Sequence, residues 1–426
     1  MGLYSPKIIK LDNGFAITAE KTLILLNKAE FIKNKSEILK LCEDSFKNVS
    51  SSNLQFKSNE NTLSFTIIPT TDCNLRCVYC YSDGGFDKKN LTFEFTKEFI
   101  DKLIQHNPNC NNINLDFTGG GEPLLNFELI QKVVDYLESK NFNLNISMVT
   151  NGILLPKYLP WLKIHSFFLR ISYDGCAQKI NRPGLNFNSN EKLSETFKLI
   201  KNEYPLDLVG VQMTITKSNI DNLPFDVLKI ITDYKINSIK IEPVHTSYSI
   251  RSKIVNQPTP KEFVDSYLST LDLLISKNIE VYIDNSYLSI PSTAYFCSIR
   301  NKAIISPYNL ITSCVEVIKK EGNENNGVVL CDDISLIDFN TIRKIQLDKL
   351  YPLHPKNYSD CSECDFVHIC KNNCPMRRIL NNNHKYKYNC EISHLLIPKF
   401  LERANSNKKY LELVFGNSFK ERSKCV

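Results

Sequence analysis

Residues 63–80 read Leu63-Ser-Phe-Thr-Ile-Ile-Pro-Thr-Thr-Asp-Cys73-Asn-Leu-Arg-Cys77-Val-Tyr-Cys80. An apolar, β-branched run from Leu63 to Ile68 gives way to a proline and then to three cysteines within eight residues. A short apolar run closed by turn residues reads as a strand, so the three thiols fall on a loop at a strand's carboxyl end. Thiolates so placed can ligate three irons of a four-iron cluster and leave the fourth iron without a protein ligand. Spacing alone also admits a zinc site whose fourth ligand comes from elsewhere.

Outward from this stretch, strand and helix patterns alternate. Strands are expected at Leu63 to Ile68, Ile113 to Phe117, Leu144 to Val149, Phe167 to Ser172, Leu208 to Ile215 and Ile239 to Pro243. Helices are expected at Phe93 to Gln105, Phe127 to Ser139, Pro156 to Leu162, Glu191 to Asn202, Pro224 to Tyr234 and Lys261 to Asn278. A strand followed by a helix at a spacing of about 30 residues is the signature of βαβ units and a parallel sheet. Six units fall short of the eight that close a barrel, so an open, partial barrel with its site at the strands' carboxyl ends is expected. Ahead of it, Ile8 to Leu11, Phe15 to Thr18 and Leu23 to Leu26 read as short strands around an Asn13-Gly14 turn, followed by a helix from Lys35 to Phe46. After Asn278 the alternation is expected to stop. Cys297 to Cys390 is loop-rich and holds eight of the fifteen cysteines, as in a segment folded around metal. A last helix, Glu391 to Phe415, is expected to pack back onto the barrel.

Composition narrows the classes. The chain has 426 residues, 42% hydrophobic, with 52 Lys plus Arg against 46 Asp plus Glu. Disorder and fibrous repeats are out, and the net charge of +6, without a long basic block, does not argue for nucleic acid. No stretch approaches 18 consecutive apolar residues, and Lys7, Lys10 and Asp12 break up any amino-terminal signal. A cytoplasmic protein without a membrane partner is expected, and there an odd count of 15 cysteines points to metal rather than to disulfides. No H-E-x-x-H, G-x-S-x-G or P-loop pattern is present.

The C-x3-C-x2-C spacing of Cys73, Cys77 and Cys80, with Tyr79 before the last cysteine, resembles the signature of the radical S-adenosylmethionine (radical SAM) superfamily. Thr118-Gly119-Gly120-Gly121-Glu122-Pro123, after the second strand, is similar to that family's GGEP motif. The resemblance implies that Gly119, Gly120, Gly121 and Glu122 hold the methionine amino group of SAM. Gly suits such a loop, because a backbone without Cβ can approach a ligand closely. Ser172-Tyr173-Asp174-Gly175 resembles the Ser-x-Asp-Gly segment of peptide-modifying members, which implies that Ser172 contacts SAM and Arg182, ten residues on, binds its carboxylate. For Ser172, Arg182 and Asn151 a loop residue satisfying local backbone is an equal reading, and Glu242 is a rim candidate of the same kind.

The later cysteines run Cys297, Cys314, Cys361-x2-Cys364-x5-Cys370-x3-Cys374 and Cys390, which resembles the seven-cysteine SPASM extension of radical SAM enzymes. By that resemblance Cys361, Cys364, Cys370 and Cys390 bind one auxiliary cluster, and Cys297, Cys314 and Cys374 bind another. Ala303 stands where the family often supplies a fourth ligand to the latter, so either Cys331 fills in or one iron is open. Val328 to Cys331 is an apolar run in which a structural cysteine is unremarkable, which favours the open iron. Asn309 replaces a pattern glycine; Asn is next best able to adopt positive φ. Cys42, Cys110, Cys176 and Cys425 are expected to be small buried hydrophobes.

The expected architecture is therefore α/β: a small N-terminal α+β element (1–60), a partial (β/α)6 TIM-like barrel (61–285), a loop-rich iron-sulfur domain (286–395) and a C-terminal helix and tail (396–426). The resemblance implies three [4Fe-4S] clusters, SAM, a flavodoxin or ferredoxin-type electron donor, and a precursor peptide modified by a thioether or carbon-carbon crosslink. Residues 1–60 would contribute peptide recognition, since exposed strand edges pair with extended chains. A sulfatase maturase making formylglycine is the alternative, and a non-catalytic iron-sulfur electron carrier or binding module a more distant one.

Overall fold

The computed structural model describes residues 6–19, 22–47, 61–245, 256–291, 302–321, 328–350, 352, 354, 357–371, 374, 376 and 387–416, the side chains of 39 and 41–47 aside. Its strands are β1 (Lys7–Leu11), β2 (Gly14–Ala19), β3 (Thr22–Leu26), β4 (Thr62–Ile67), β5 (Asn112–Phe117), β6 (Asn143–Thr150), β7 (Phe168–Ser172), β8 (Val209–Ile215), β9 (Ser238–Pro243), β10 (Tyr282–Asp284), β11 (Ala303–Ser306), β12 (Leu310–Thr312) and β13 (Val329–Cys331). The six expected barrel strands are β4 to β9, each within one residue of its expected ends. They lie in sequence order and pair in parallel.

Alternation within the strands explains how the sheet is used. Leu63, Phe65, Ile67, Ile113, Leu115, Phe117, Met148, Leu169, Ile171, Val211, Met213, Ile239 and Ile241 are buried against the helices. Each such side chain stabilises the fold by roughly 1.5–3 kcal/mol relative to exposure. The residues between them, Ser64, Asn114, Asp116, Asn145, Ser147, Arg170, Gln212, Lys240 and Glu242, remain exposed or half-buried on the other face. Parallel sheets covered on both faces read as continuous apolar runs. This one is apolar on one face and polar on the other, as an open lumen requires.

Three elements extend the expected barrel. The alternation does not stop at Asn278: after the helix Pro260–Ser276, opened by a Thr259–Glu262 capping box, β10 pairs in parallel with β9. On the opposite edge β11 pairs in parallel with β4, and β12 and β13 follow antiparallel. The sheet is thus ten-stranded and open, ending on β10 and β13. These added strands span three or four residues, too few to show a period.

The amino-terminal sheet has the order β1-β2-β3, all antiparallel, and its helix runs Lys28–Lys47, longer than expected. It is not independent of the barrel. Ile17, Ala19, Leu26 and Phe31 form a core of their own, while Ile9, Leu11 and Ala16 belong to the main core. The Nδ1 of buried His368 lies 3.0 Å from the Thr18 carbonyl, and Asn13 Nδ2 donates to Glu402 O at 2.8 Å. The terminal helix divides into Lys387–Ser406 and Lys409–Phe415. It packs on this sheet and on the helix Pro260–Ser276, to which the Arg403 guanidinium is forked through Asp272 at 2.8 and 2.9 Å. Among the described residues no helix is long and apolar enough to cross a membrane.

Candidate active site

The loop that leaves β4 carries Cys73, Cys77 and Cys80, and its shape is fixed by backbone acceptors. Arg76 Nη1 donates to Cys73 O (2.6 Å) and Leu75 O (2.9 Å), and its Nη2 to Gly85 O (3.0 Å). Arg76 N and Val78 N donate to Pro183 O and Asn181 O, both at 2.9 Å, so the loop after β7 backs the cysteine loop. Each sulfur meets a donor. Cys73 Sγ accepts from Leu75 N (3.5 Å) and lies 4.0 Å from Asn151 Nδ2. Cys80 Sγ accepts from Gly84 N (3.3 Å) beside Ser82 Oγ (3.4 Å), and Cys77 Sγ lies 4.0 Å from Arg182 Nη1. Burial, then the Glu122 carboxylate, pushes the Cys73 thiol up to about 12, and Cys77 and Cys80 add to the rise.

The glycine turn after β5 lies against this loop. Gly121 N donates to Thr70 O at 2.7 Å, Glu122 N to Asp72 O at 2.8 Å, and Ser82 Oγ to Gly120 O. A Cβ on Gly121 would sit 1.8 Å from Asp72 O, so only glycine permits the approach, and Gly120 adopts φ +69°. Glu122 is buried with both oxygens engaged: Oε1 accepts from Thr150 Oγ1 (2.7 Å) and Leu124 N (3.3 Å), Oε2 from Asn151 N (2.8 Å). Burial still pushes its carboxyl up to about 7. Glu122 therefore ties the ends of β5 and β6 together, and Asn151, joined to Asn74 at 2.7 Å, carries that frame to the cysteine loop.

Beyond β7 the structure adds a network that sequence alone did not assign. Fully buried Asp174 accepts from Tyr79 Oη through Oδ2 and from Thr214 N (3.1 Å) through Oδ1, which also faces Arg182 Nε at 3.2 Å. The Arg182 guanidinium stacks 5.2 Å from the Tyr79 ring centroid. Burial pushes the Tyr79 phenol well up, with Arg182 opposing and Asp174 assisting. The fork of Arg182 thus bridges Asp174 and Cys77. Ser172 is half-buried at the end of β7, one residue from Tyr173 and two from Asp174. Glu242, next to last in β9, is in contact with Ser286 Oγ and lies 3.1 Å from Lys240. The Ser-x-Asp-Gly pattern was the only sequence signal for Asp174.

The residues fit the iron-sulfur cluster that the resemblance implies. Three half-buried cysteines on one loop, with the Cys73 thiol pushed up by burial and by its neighbours, need a cationic partner to be held as thiolates, and N–H donors to each sulfur are the usual means of tuning a cluster. Among the described residues no three His, Cys, Asp or Glu side chains are arranged around a single ion. A cluster, whose irons are set apart by sulfide, does not require such convergence. Tyr81 marks the approach of the carboxyl-terminal segment: burial raises its phenol strongly, with Cys80, Glu316, Cys314 and Asp116 adding their charges.

In that segment Cys361 and Cys364 share a turn (Cys364 N to Cys361 O, 3.1 Å). Cys370 Sγ donates to Ser393 Oγ at 3.4 Å, and Cys364 Sγ lies 3.8 Å from His394 Nε2. Ser393 and His394 follow Cys390 by three and four residues on one helix, so Cys364 and Cys370 are brought to the helix face that carries Cys390. Cys314 and Cys374 pack against one small core of Val317, Val328, Leu350 and Met376. Cys297 lies outside the described residues. Cys331 sits elsewhere, donating to Asp333 O at 3.0 Å and packed on the main core. Ala303 opens β11, and Asn309 has φ 55°, as the turn needs. Of the remaining cysteines, Cys110 is buried but Cys176 is exposed, a departure from the expectation, in the turn after β7 that Asp226 holds through Cys176 N at 2.9 Å. The side chains of Cys42 and Cys425 lie outside the description.

Residues 67–215, from the end of β4 to the end of β8, match the Radical SAM superfamily. The chain carries a radical SAM domain. Over 180 residues it is 33% identical to an uncharacterized protein of Methanocaldococcus jannaschii, a match to 41% of this chain that spans 59% of that relative's length. It is 21% identical over 398 residues to the radical SAM cyclopropyl synthase TigE of Paramaledivibacter caminithermalis, covering 84% of this chain and 77% of that protein. To a cysteine-type anaerobic sulfatase-maturating enzyme of Clostridium perfringens it is 23% identical over 387 residues, 81% of this chain and 99% of that one. Its fold is that of anSMEcpe with bound AdoMet (TM-score 0.65, 16% identity, 81% and 99% of the two chains). It is also that of Streptococcus suis SuiB bound to the precursor peptide SuiA (TM-score 0.54, 13% identity, 91% and 98%).

Proposed function

We propose that this protein is a radical SAM peptide maturase with a SPASM-type extension, which cleaves SAM reductively and modifies a ribosomally made peptide by a thioether or carbon-carbon crosslink. One observation carries the reading: the donor-supplied sulfurs of Cys73, Cys77 and Cys80 at the end of β4 face the Gly119–Glu122 turn at the end of β5. When bound, a four-iron cluster and SAM supply one-electron cleavage and a hydrogen-abstracting adenosyl radical. The chain's own part is to hold and to orient. Cys73, Cys77 and Cys80 ligate; Gly119, Gly120 and Gly121 let backbone approach the methionine end; and Glu122, its carboxyl held near neutral by burial, gains charge when an ammonium arrives. Ser172 and Arg182 close the β7 side of the site. Cys361, Cys364, Cys370 and Cys390 hold one auxiliary cluster, and Cys314, Cys374 and Cys297 the other. A flavodoxin or ferredoxin-type donor supplies electrons in the cytoplasm, and residues 1–60 engage the peptide. SuiB, with its bound precursor peptide, supports a peptide substrate.

The sulfatase-maturating relative, matched over 99% of its length, supports formylglycine formation as a second reading. Anaerobic incubation of reconstituted protein with SAM and dithionite tests the core: 5'-deoxyadenosine is expected, and its absence overturns the enzyme reading. Incubation with peptides encoded next to the gene then separates a crosslink, a loss of two hydrogens with no new carbonyl, from formylglycine, whose aldehyde reacts with a hydrazide probe.

A further inference from the structure

Among the described residues, the charged side chains on the sheet's polar face, away from the helices, and their ion-pair partners number four cations and three anions. Register places Asp116 on β5, Arg170 on β7, Lys240 and Glu242 on β9 and Asp284 on β10 on this one face. Lys302 pairs with Asp116 at 3.6 Å, Lys240 with Glu242 at 3.1 Å, and Lys371 with Asp284 at 3.3 Å. Arg170 has no such carboxylate among the described residues, and its Nη1 is buried without a hydrogen-bond partner. Its neighbours on the flanking strands cannot serve: Val149 is apolar and Gly210 has no side chain. A Cβ at Gly210 would meet Ser238 Oγ at 3.2 Å and Phe168 at 3.4 Å, so this position has no room for a side chain that could pair with the guanidinium. The guanidinium carbon lies 5.5 Å from the centroid of the Phe168 ring, and that ring also lines a cavity of about 520 Å³ with Asn114, Asn145, Ser147 and Lys302.

A buried guanidinium N–H without an acceptor costs free energy that an arriving acceptor restores. We propose that Arg170 is the specificity-determining residue of the lumen, receiving a carboxylate of the substrate, in the peptide reading an Asp or Glu side chain. Planar, two-pronged donation suits a carboxylate, and the single surplus charge suits a monoanion better than a phosphate. The Phe168 cavity gives room for the residue that carries it.

Two experiments test this on the full, reconstituted chain. In the first, phenylglyoxal labels arginines with and without the α-N-methylamide of N-acetylglutamate or of N-acetylglutamine, which differ only in the side-chain carboxylate, and Arg170 is followed by peptide mass spectrometry. Protection by the glutamate compound alone is expected whether or not the true substrate is a peptide, and equal protection by both, or by neither, overturns the carboxylate assignment. In the second, fluorescent decapeptides differing only in a central Asp or Asn are titrated by anisotropy. Roughly tenfold or greater preference for Asp is expected, from one charge-assisted pair. The ratio should approach one in Arg170→Gln and fall between in Arg170→Lys, with melting temperatures showing that both variants fold. A wild-type ratio near one, with Arg170 still protected by the glutamate compound, overturns the peptide as the source of the carboxylate while the anion site stands. A ratio unchanged in Arg170→Gln overturns the residue's role.

Discussion

The two cysteine-bearing regions are built on opposite physical terms. Cys73, Cys77 and Cys80 leave a strand buried in the main core, and their loop is braced by Arg76, by the glycine turn and by the loop after β7. Cys361, Cys364 and Cys370 sit on short turns, and only Cys390 belongs to a long helix. The first loop is shaped by the fold around it, whereas the second, on the proposed reading, would rely on metal for much of its own cohesion. A preformed loop is what a site that must bind and release a small molecule needs. A segment stapled by clusters, as the proposal has it, would be adequate for carrying electrons.

The sharpest break of this comparison is to remove one region's thiols. Cys73, Cys77 and Cys80 replaced together by Ala should abolish SAM cleavage but keep about eight of about twelve irons, if each site holds a four-iron cluster. Iron analysis showing near-total loss would mean that the regions are not independent.

Next in size is Asp174, on which the bracing of the first site converges. Asp174→Ala leaves Arg182 buried without its partner, and Tyr79 and Thr214 N without their acceptor, at a cost of about 3–5 kcal/mol. Chemical denaturation should show it, and a loss below about 1 kcal/mol would mean that the network is incidental.

Glu122 gives a pH signature. Its carboxyl is raised by burial from 4.5 to about 7, so over that window the folded chain keeps a proton that the unfolded chain has released. The Glu122 contribution is therefore present below about pH 4.5 and is lost as pH rises toward 7. Metal-free wild type should lose up to about 3 kcal/mol relative to Glu122→Gln across the window. A pH-independent difference in denaturation free energy would sink this.

Smallest is Cys331→Ala. With its thiol directed to Asp333 O and away from the core shared by Cys314 and Cys374, the substitution should leave the cluster spectrum and SAM cleavage nearly unchanged. A changed spectrum would place Cys331 on iron.

Legibility in the sequence followed the same division. β4 to β9 were readable because one face of each, such as Ile113, Leu115 and Phe117, repeats at period two against long amphipathic helices. The positions of the cysteines and of Gly119–Glu122 at strand ends followed from this. β10 to β13 were not readable, because Tyr-Ile-Asp or Leu-Ile-Thr is too short to carry a period, and only pairing with β9 or β4 makes them strands. The Tyr79–Asp174–Arg182 network was hidden because its members are up to 103 residues apart and meet only through the parallel order. Arg170 looks in sequence like any solvated residue of a strand; what singles it out among the described residues is that Lys240, Lys302 and Lys371 around it are each paired with a carboxylate.

The bond between β4 and β11 also has a bearing on synthesis. The edge of β4, Thr-Leu-Ser-Phe-Thr-Ile, finds its outer partner only when Ala303–Ser306 emerges, more than 200 residues later. At about 5–20 residues per second, the nascent chain carries an unpaired apolar strand edge for roughly ten seconds or more. For that interval the strand that presents the first cysteines is a template for any other extended chain. Truncation before β11 would make the interval permanent, so the barrel is a poor candidate for expression without its carboxyl-terminal third.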